Sequence, residues 1–202
     1  DGALHWTERF SGWIHDPVRQ QIYLARALFD LRGLAGPSPL VRSLRRHLAA
    51  ELDRTDAFIP VLANDTLSSQ SALTFFEGLV VDDEERTTSH LDIVRSALGP
   101  LTDIARVFAL DGADVETVST CRWLEQAAAR HSKHRAVLEE AAEAFRIALF
   151  YRARAGLRAG HDGALIDPAS LTRYERTVLK SAFRAVTWLL ELTEHRFLLA
   201  RT

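Results

Sequence analysis

The stretch IDPASLTRYERTVLKSAFRAVTWLLELTEHRF, Ile166 to Phe197, decides the fold class, because it states its own start, buried face and length. Asp167-Pro168 opens a turn. Thr172-Arg173-Tyr174-Glu175 then fits a capping box, in which the Thr172 hydroxyl accepts an orphan backbone N–H and the Glu175 carboxylate reaches back to the N–H of Thr172. Leu171, Tyr174, Val178, Ala182, Val186, Leu189, Thr193 and Phe197 recur at helical spacing, flanked by Leu179, Phe183 and Leu190. A helix with so broad an apolar stripe needs partners. At about 1.5 Å per residue it runs to roughly 40 Å, so those partners are other long helices. The predicted fold is mainly α, an antiparallel helical bundle of four or five helices with a short α/β remnant at the N-terminus.

Upstream, Leu4 to Ile14 reads as a short amphipathic helix ended by His15-Asp16-Pro17. Leu28 to Leu34 is a β-strand candidate, and Gly36-Pro37-Ser38-Pro39 breaks the chain. Leu40, Val41, Leu44, Leu48 and Leu52 then mark a helix of about four turns. Asp56 to Asp65 contains Pro60 and little periodicity, which places a domain boundary near Ile59-Pro60, between residues 1–58 and 59–202. Thr66 to Val81 reads as a helix giving way to extended Gly78-Leu79-Val80-Val81, with an acidic turn over Asp82 to Arg86. Pro100 suits a first helical turn, followed by an apolar face of Leu101, Ile104, Ala105 and Phe108. Thr117 to Arg130 and Arg135 to Arg158 are two further helices.

Composition excludes several function classes. With 202 residues, 47% hydrophobic and 26% charged, the chain can bury a sizeable core. A net charge of −2 argues against nonspecific nucleic-acid binding. The cations are arginines apart from Lys133 and Lys180, and arginine is the residue that grips phosphate or carboxylate bidentately. Cys121 stands alone, so there is no intrachain disulfide and a thiolate metal site is not expected. No run of about 18 apolar residues spans a membrane, and Asp1-Gly2-Ala3-Leu4-His5 is no signal peptide. A reducing cytoplasm fits. Methionine is absent even at position 1, which reads as a piece excised from a longer protein. His131 and His134 have a metal-capable spacing but no further ligands beside them, so a polar helix junction is the plainer reading.

Ile166-Asp167-Pro168, Leu171-Thr172, Glu175-Arg176, Leu179-Lys180, Ala182-Phe183-Arg184 and Phe197 together resemble the last segment of the bacterial signal-transduction nucleotidyltransferases, which often also carry a cyclic-nucleotide-binding domain and CBS repeats. This segment closes their C-terminal substrate-binding domain. His90-Leu91-Asp92-Ile93, Gly99-Pro100-Leu101 and Asp103-Ile104-Ala105-Arg106 resemble a second segment of that domain. Phe29-Asp30-Leu31-Arg32 resembles the end of the family's catalytic core.

The resemblance implies a domain that holds an unknown acceptor opposite a nucleoside triphosphate and Mg²⁺. It places Asp30 as the third catalytic, metal-binding carboxylate of a two-metal site. Arg32, Asp92, Asp103, Arg106, Glu175, Arg176 and Lys180 follow as substrate-binding residues. The Gly-Ser loop and Asp-x-Asp pair that supply the first two carboxylates do not occur in these 202 residues, so the chain alone is not expected to transfer nucleotides. Val94, Ala153 and Ala164 depart from the family pattern. Those losses, with apolar Trp188, Leu192 and Leu198, suit the alternative of a noncatalytic interaction or homodimerisation module. Each candidate also has a plainer role: Asp103 and Arg106 as an i,i+3 ion pair, Glu175 as a helix cap, and Arg176 and Lys180 as a solvated face.

Overall fold

The computed structural model describes residues 2–17, 22, 30, 32, 38–70 and 90–199. Seven α-helices make up nearly all regular structure among them. They are α1 (Gly2–His15), α2 (Ser38–Leu52), α3 (Phe58–Gln70), α4 (Gly99–Asp111), α5 (Thr120–Arg130), α6 (Arg135–Ala159) and α7 (Arg173–Phe197). A two-stranded antiparallel ribbon, β1 (Leu91–Asp92) on β2 (Leu165–Ile166), pairs Leu91 with Ile166 and Asp92 with Leu165. The fold is mainly α.

The last helix is organised as its sequence declares. The Thr172 hydroxyl accepts from the Glu175 N–H at 3.2 Å, and the Glu175 carboxylate accepts from the Thr172 N–H at 2.7 Å. Leu179, Ala182, Val186, Leu189, Thr193 and Phe197 are all buried. Thr193 tolerates that position because its hydroxyl donates to the Leu189 carbonyl one turn back, at 2.7 Å. Tyr174, read as part of the stripe, is 78% exposed. It stands in the first turn of α7, where Glu175, its neighbour, faces α6 instead.

Around α7 the other helices close a bundle. α6 packs along α7 and α5 along α6, while α4 lies on α5 and α7 and α3 on α4 and α7. The alanines Ala141, Ala142, Ala144 and Ala148 are buried on α6, and their small side chains allow close helix approach. α1 packs on α2. Between them Glu51 is 5% exposed, and its carboxylate is held by His15 at 2.7 Å and Arg54 at 2.5 Å. The His15 hydrogen bond is the main reason its carboxyl lies below the usual range.

Two local readings change. α3 begins at Phe58 rather than Thr66, and Phe58 and Leu62 are fully buried. Pro60 does not break it, since a helix's first turn needs no N–H from that residue. Of the strand read over 28–34, only Asp30 and Arg32 are described; Asp30 is in a turn and Arg32 in irregular backbone. Aspartate disfavours strands and favours turns. The rest of that strand, and Gly78 to Arg86 with its acidic turn, lie outside the described residues.

The turn from α6 into β2 depends on two glycines in the left-handed region, Gly160 and Gly163, both at φ 70°. At Gly160 a Cβ would meet open space, whereas at Gly163 it would come 2.0 Å from the Arg152 carbonyl oxygen. Gly160→Ala should therefore cost only the left-handed penalty, about 1–2 kcal/mol. Gly163→Ala should cost at least twice as much by urea denaturation, and equal costs would contradict this reading.

Candidate functional site

The residues predicted from sequence fall into two clusters and a remainder. The first cluster centres on Arg106, which α4 carries into the interior with only 7% of its surface exposed. Its Nε and Nη2 donate to the two carboxylate oxygens of Asp30, at 2.8 and 2.5 Å. Its Nη1 donates to Asp103 Oδ1, one helical turn away, at 2.8 Å. Burial opposes the guanidinium charge, but the carboxylates of Asp30 and then Asp103 outweigh it and hold the group above its ordinary value. A cation buried this deeply is tolerated only because it is paired on both edges of its fork.

The second cluster joins α6 to the start of α7. Arg154 Nη1 donates to Glu175 Oε1, while Glu175 Oε2 takes the Thr172 N–H, so both carboxylate oxygens are used. Arg154 also stacks over the Tyr151 ring, 4.6 Å from its centroid. The Arg154 bond, followed by the Thr172 N–H, draws the Glu175 carboxyl down from 4.5 to about 2.

The remaining predicted residues have local or open positions. Asp92 Oδ1 accepts from the Val94 and Arg95 N–H groups at 3.1 and 3.0 Å. It thereby caps the π-helical turn Val94–Leu98 that leads into α4. Arg32 and Arg176 are exposed and Lys180 is half-buried. His131 packs its ring edge-on against Phe108. Trp188 is 40% exposed, but Leu192 beside it on α7 is buried at 8% and Leu198 is half-buried, so the three do not form one exposed apolar face.

Beside the second cluster lies a cavity of about 370 Å³ that the sequence did not single out. Tyr151, Arg154 and Arg158 of α6 line it, with His161 on the following loop and Leu165, Asp167 and Leu171 on the segment after it; Asp167 Oδ1 accepts from the Ala169 N–H at 2.8 Å. The spacing i, i+3, i+7 of Tyr151, Arg154 and Arg158 was the available signal. Arg152 braces the loop by donating to the Asp162 carbonyl at 3.2 Å.

A family profile described as "Putative nucleotidyltransferase substrate binding domain" matches residues 56–197. The chain belongs to that family. No curated protein and no solved structure matches it. In this nucleotidyltransferase substrate-binding domain, Arg106 and Asp103 lie within the matched span and Asp30 before it. The second cluster lies wholly within the matched span, whereas the first joins it to Asp30. No helix among the described residues is long and apolar enough to cross a membrane.

The Glu175 arrangement has a pH signature. Its folded pKa is below the unfolded value, so its contribution is fully present above about 4.5 and is lost as pH falls toward about 2. Glu175→Gln should lower Tm at pH 7, with the gap to the parent chain narrowing across that window. A gap independent of pH would contradict the assignment.

Proposed function

We propose that this chain is the substrate-binding and positioning module of a nucleotidyltransferase, holding an acceptor opposite a nucleoside triphosphate that another part of the enzyme binds. Membership of the family supports the general role. One observation carries the rest: Arg106 of the helical bundle grips both oxygens of Asp30, the residue that resembles the end of the family's catalytic core. On this reading the contact holds residue 30 to the bundle. Fixing the acceptor there raises its effective concentration, a contribution that needs no nucleophile or base from the bundle.

Asp30 does not by itself make a Mg²⁺ site. Both of its oxygens accept from Arg106, and no group of three or more His, Cys, Asp or Glu suited to a metal stands among the described residues. With no Gly-Ser loop or Asp-x-Asp pair in the sequence either, we assign the transfer chemistry to another part of the enzyme. A Mg²⁺–nucleotide complex would draw its ligands from elsewhere in the enzyme.

The test is calorimetric titration of ATP, GTP, CTP and UTP with Mg²⁺. This chain should bind none of them measurably. A longer polypeptide carrying it behind a Gly-Ser and Asp-x-Asp segment should bind at least one. Full binding by this chain alone, or none by the longer form, would contradict the proposal.

A further inference from the structure

The cavity between α6, the 160–163 loop and β2 has the construction of an anion receptor. Arg154 enters it already oriented, with one edge bound by Glu175 and its cation face on the Tyr151 ring. An arginine held by a carboxylate and an aromatic ring loses little further freedom when its other N–H groups meet an oxyanion. Arg158, one turn further along α6, is exposed and lines the same cavity.

A third donor is set by the backbone. The Gly163 N–H donates to His161 Nδ1 at 2.9 Å, so Nδ1 is an acceptor and the neutral ring carries its proton on Nε2. His161 lines the cavity, and its Nε2–H is left as the ring's donor. The same loop conformation that demands glycine at 163 fixes this tautomer. Leu165 and Leu171 add apolar surface to the lining, and Leu165 is 50% exposed. Apolar and cationic side chains lining one cavity of about 370 Å³ suit a small ligand with both an anionic and an apolar part.

We infer that this cavity binds a small molecule with an oxyanionic head, phosphate or carboxylate, attached to a compact apolar or aromatic body. The head lies among Arg154, Arg158 and His161, and the body lies on Leu165 and Leu171. Resting on the positioning-module reading, this assigns the chemical class of the acceptor.

Calorimetry of this chain alone at low ionic strength tests it, with phenyl phosphate, benzoate and the neutral analogue benzyl alcohol as probes. One or both anions should bind and benzyl alcohol should not; the tighter anion identifies the head group. Arg158→Ala, at an exposed position that leaves the fold intact, should weaken binding at least tenfold, and Arg154→Lys should do likewise. Arg122→Ala, an exposed cation on α5, should leave binding unchanged. Equal binding of benzyl alcohol, no binding of either anion, unchanged binding in Arg158→Ala, or an equal loss in Arg122→Ala would overturn the assignment. Neither nucleotide nor metal enters this measurement, so its failure is distinct from failure of the nucleotide titration.

Discussion

The Arg106 guanidinium is the constraint that the N-terminal half of the structure answers to. Helix α4 carries it into the interior, where an unpaired cation is strongly unfavourable. Asp103 is its neighbour on the helix, but one carboxylate leaves most of the fork unmet. Asp30 supplies the rest through both oxygens. Burial of α4 on one side and the placement of residue 30 on the other are thus two consequences of one charge. The Gly99-Pro100 start of α4 and the Asp92-capped π turn before it serve the same end, because they set where Arg106 enters the core.

A parallel device joins α6 to α7. Glu175 both caps α7 and orients Arg154, so a motif that begins as local helix chemistry ends by shaping a cavity wall. Arginine serves in both places for the same reason, its planar fork and permanent charge. In one case the fork is saturated and structural. In the other, one edge is fixed and the remainder lines a cavity.

What could be read beforehand follows from sequence separation. The capping box of α7 was legible because Thr172 and Glu175 are three residues apart and their geometry is set by the helix itself. The pairing of Asp103 with Arg106 was legible at i,i+3 for the same reason. Asp30 and Arg106 are 76 residues apart, and no local pattern reports that distance. Phe58 was hidden as a helix start because Pro60 looks like a breaker, although its missing N–H costs nothing in a first turn. Tyr174 fitted the apolar stripe by spacing alone; exposure at the helix's first turn is decided by where neighbouring helices stop. His161 gave no signal because its role depends on the Gly163 N–H and a left-handed backbone.

The central claim is that the bundle and residue 30 are coupled through one buried arginine, and a double-mutant cycle addresses it most directly. Arg106→Met keeps the aliphatic stem, Asp30→Asn keeps the shape, and urea denaturation gives the stability of each variant and of the pair. A coupling energy of about 2 kcal/mol is predicted, the double variant being less destabilised than the sum of the singles. Additivity within about 0.5 kcal/mol would contradict it.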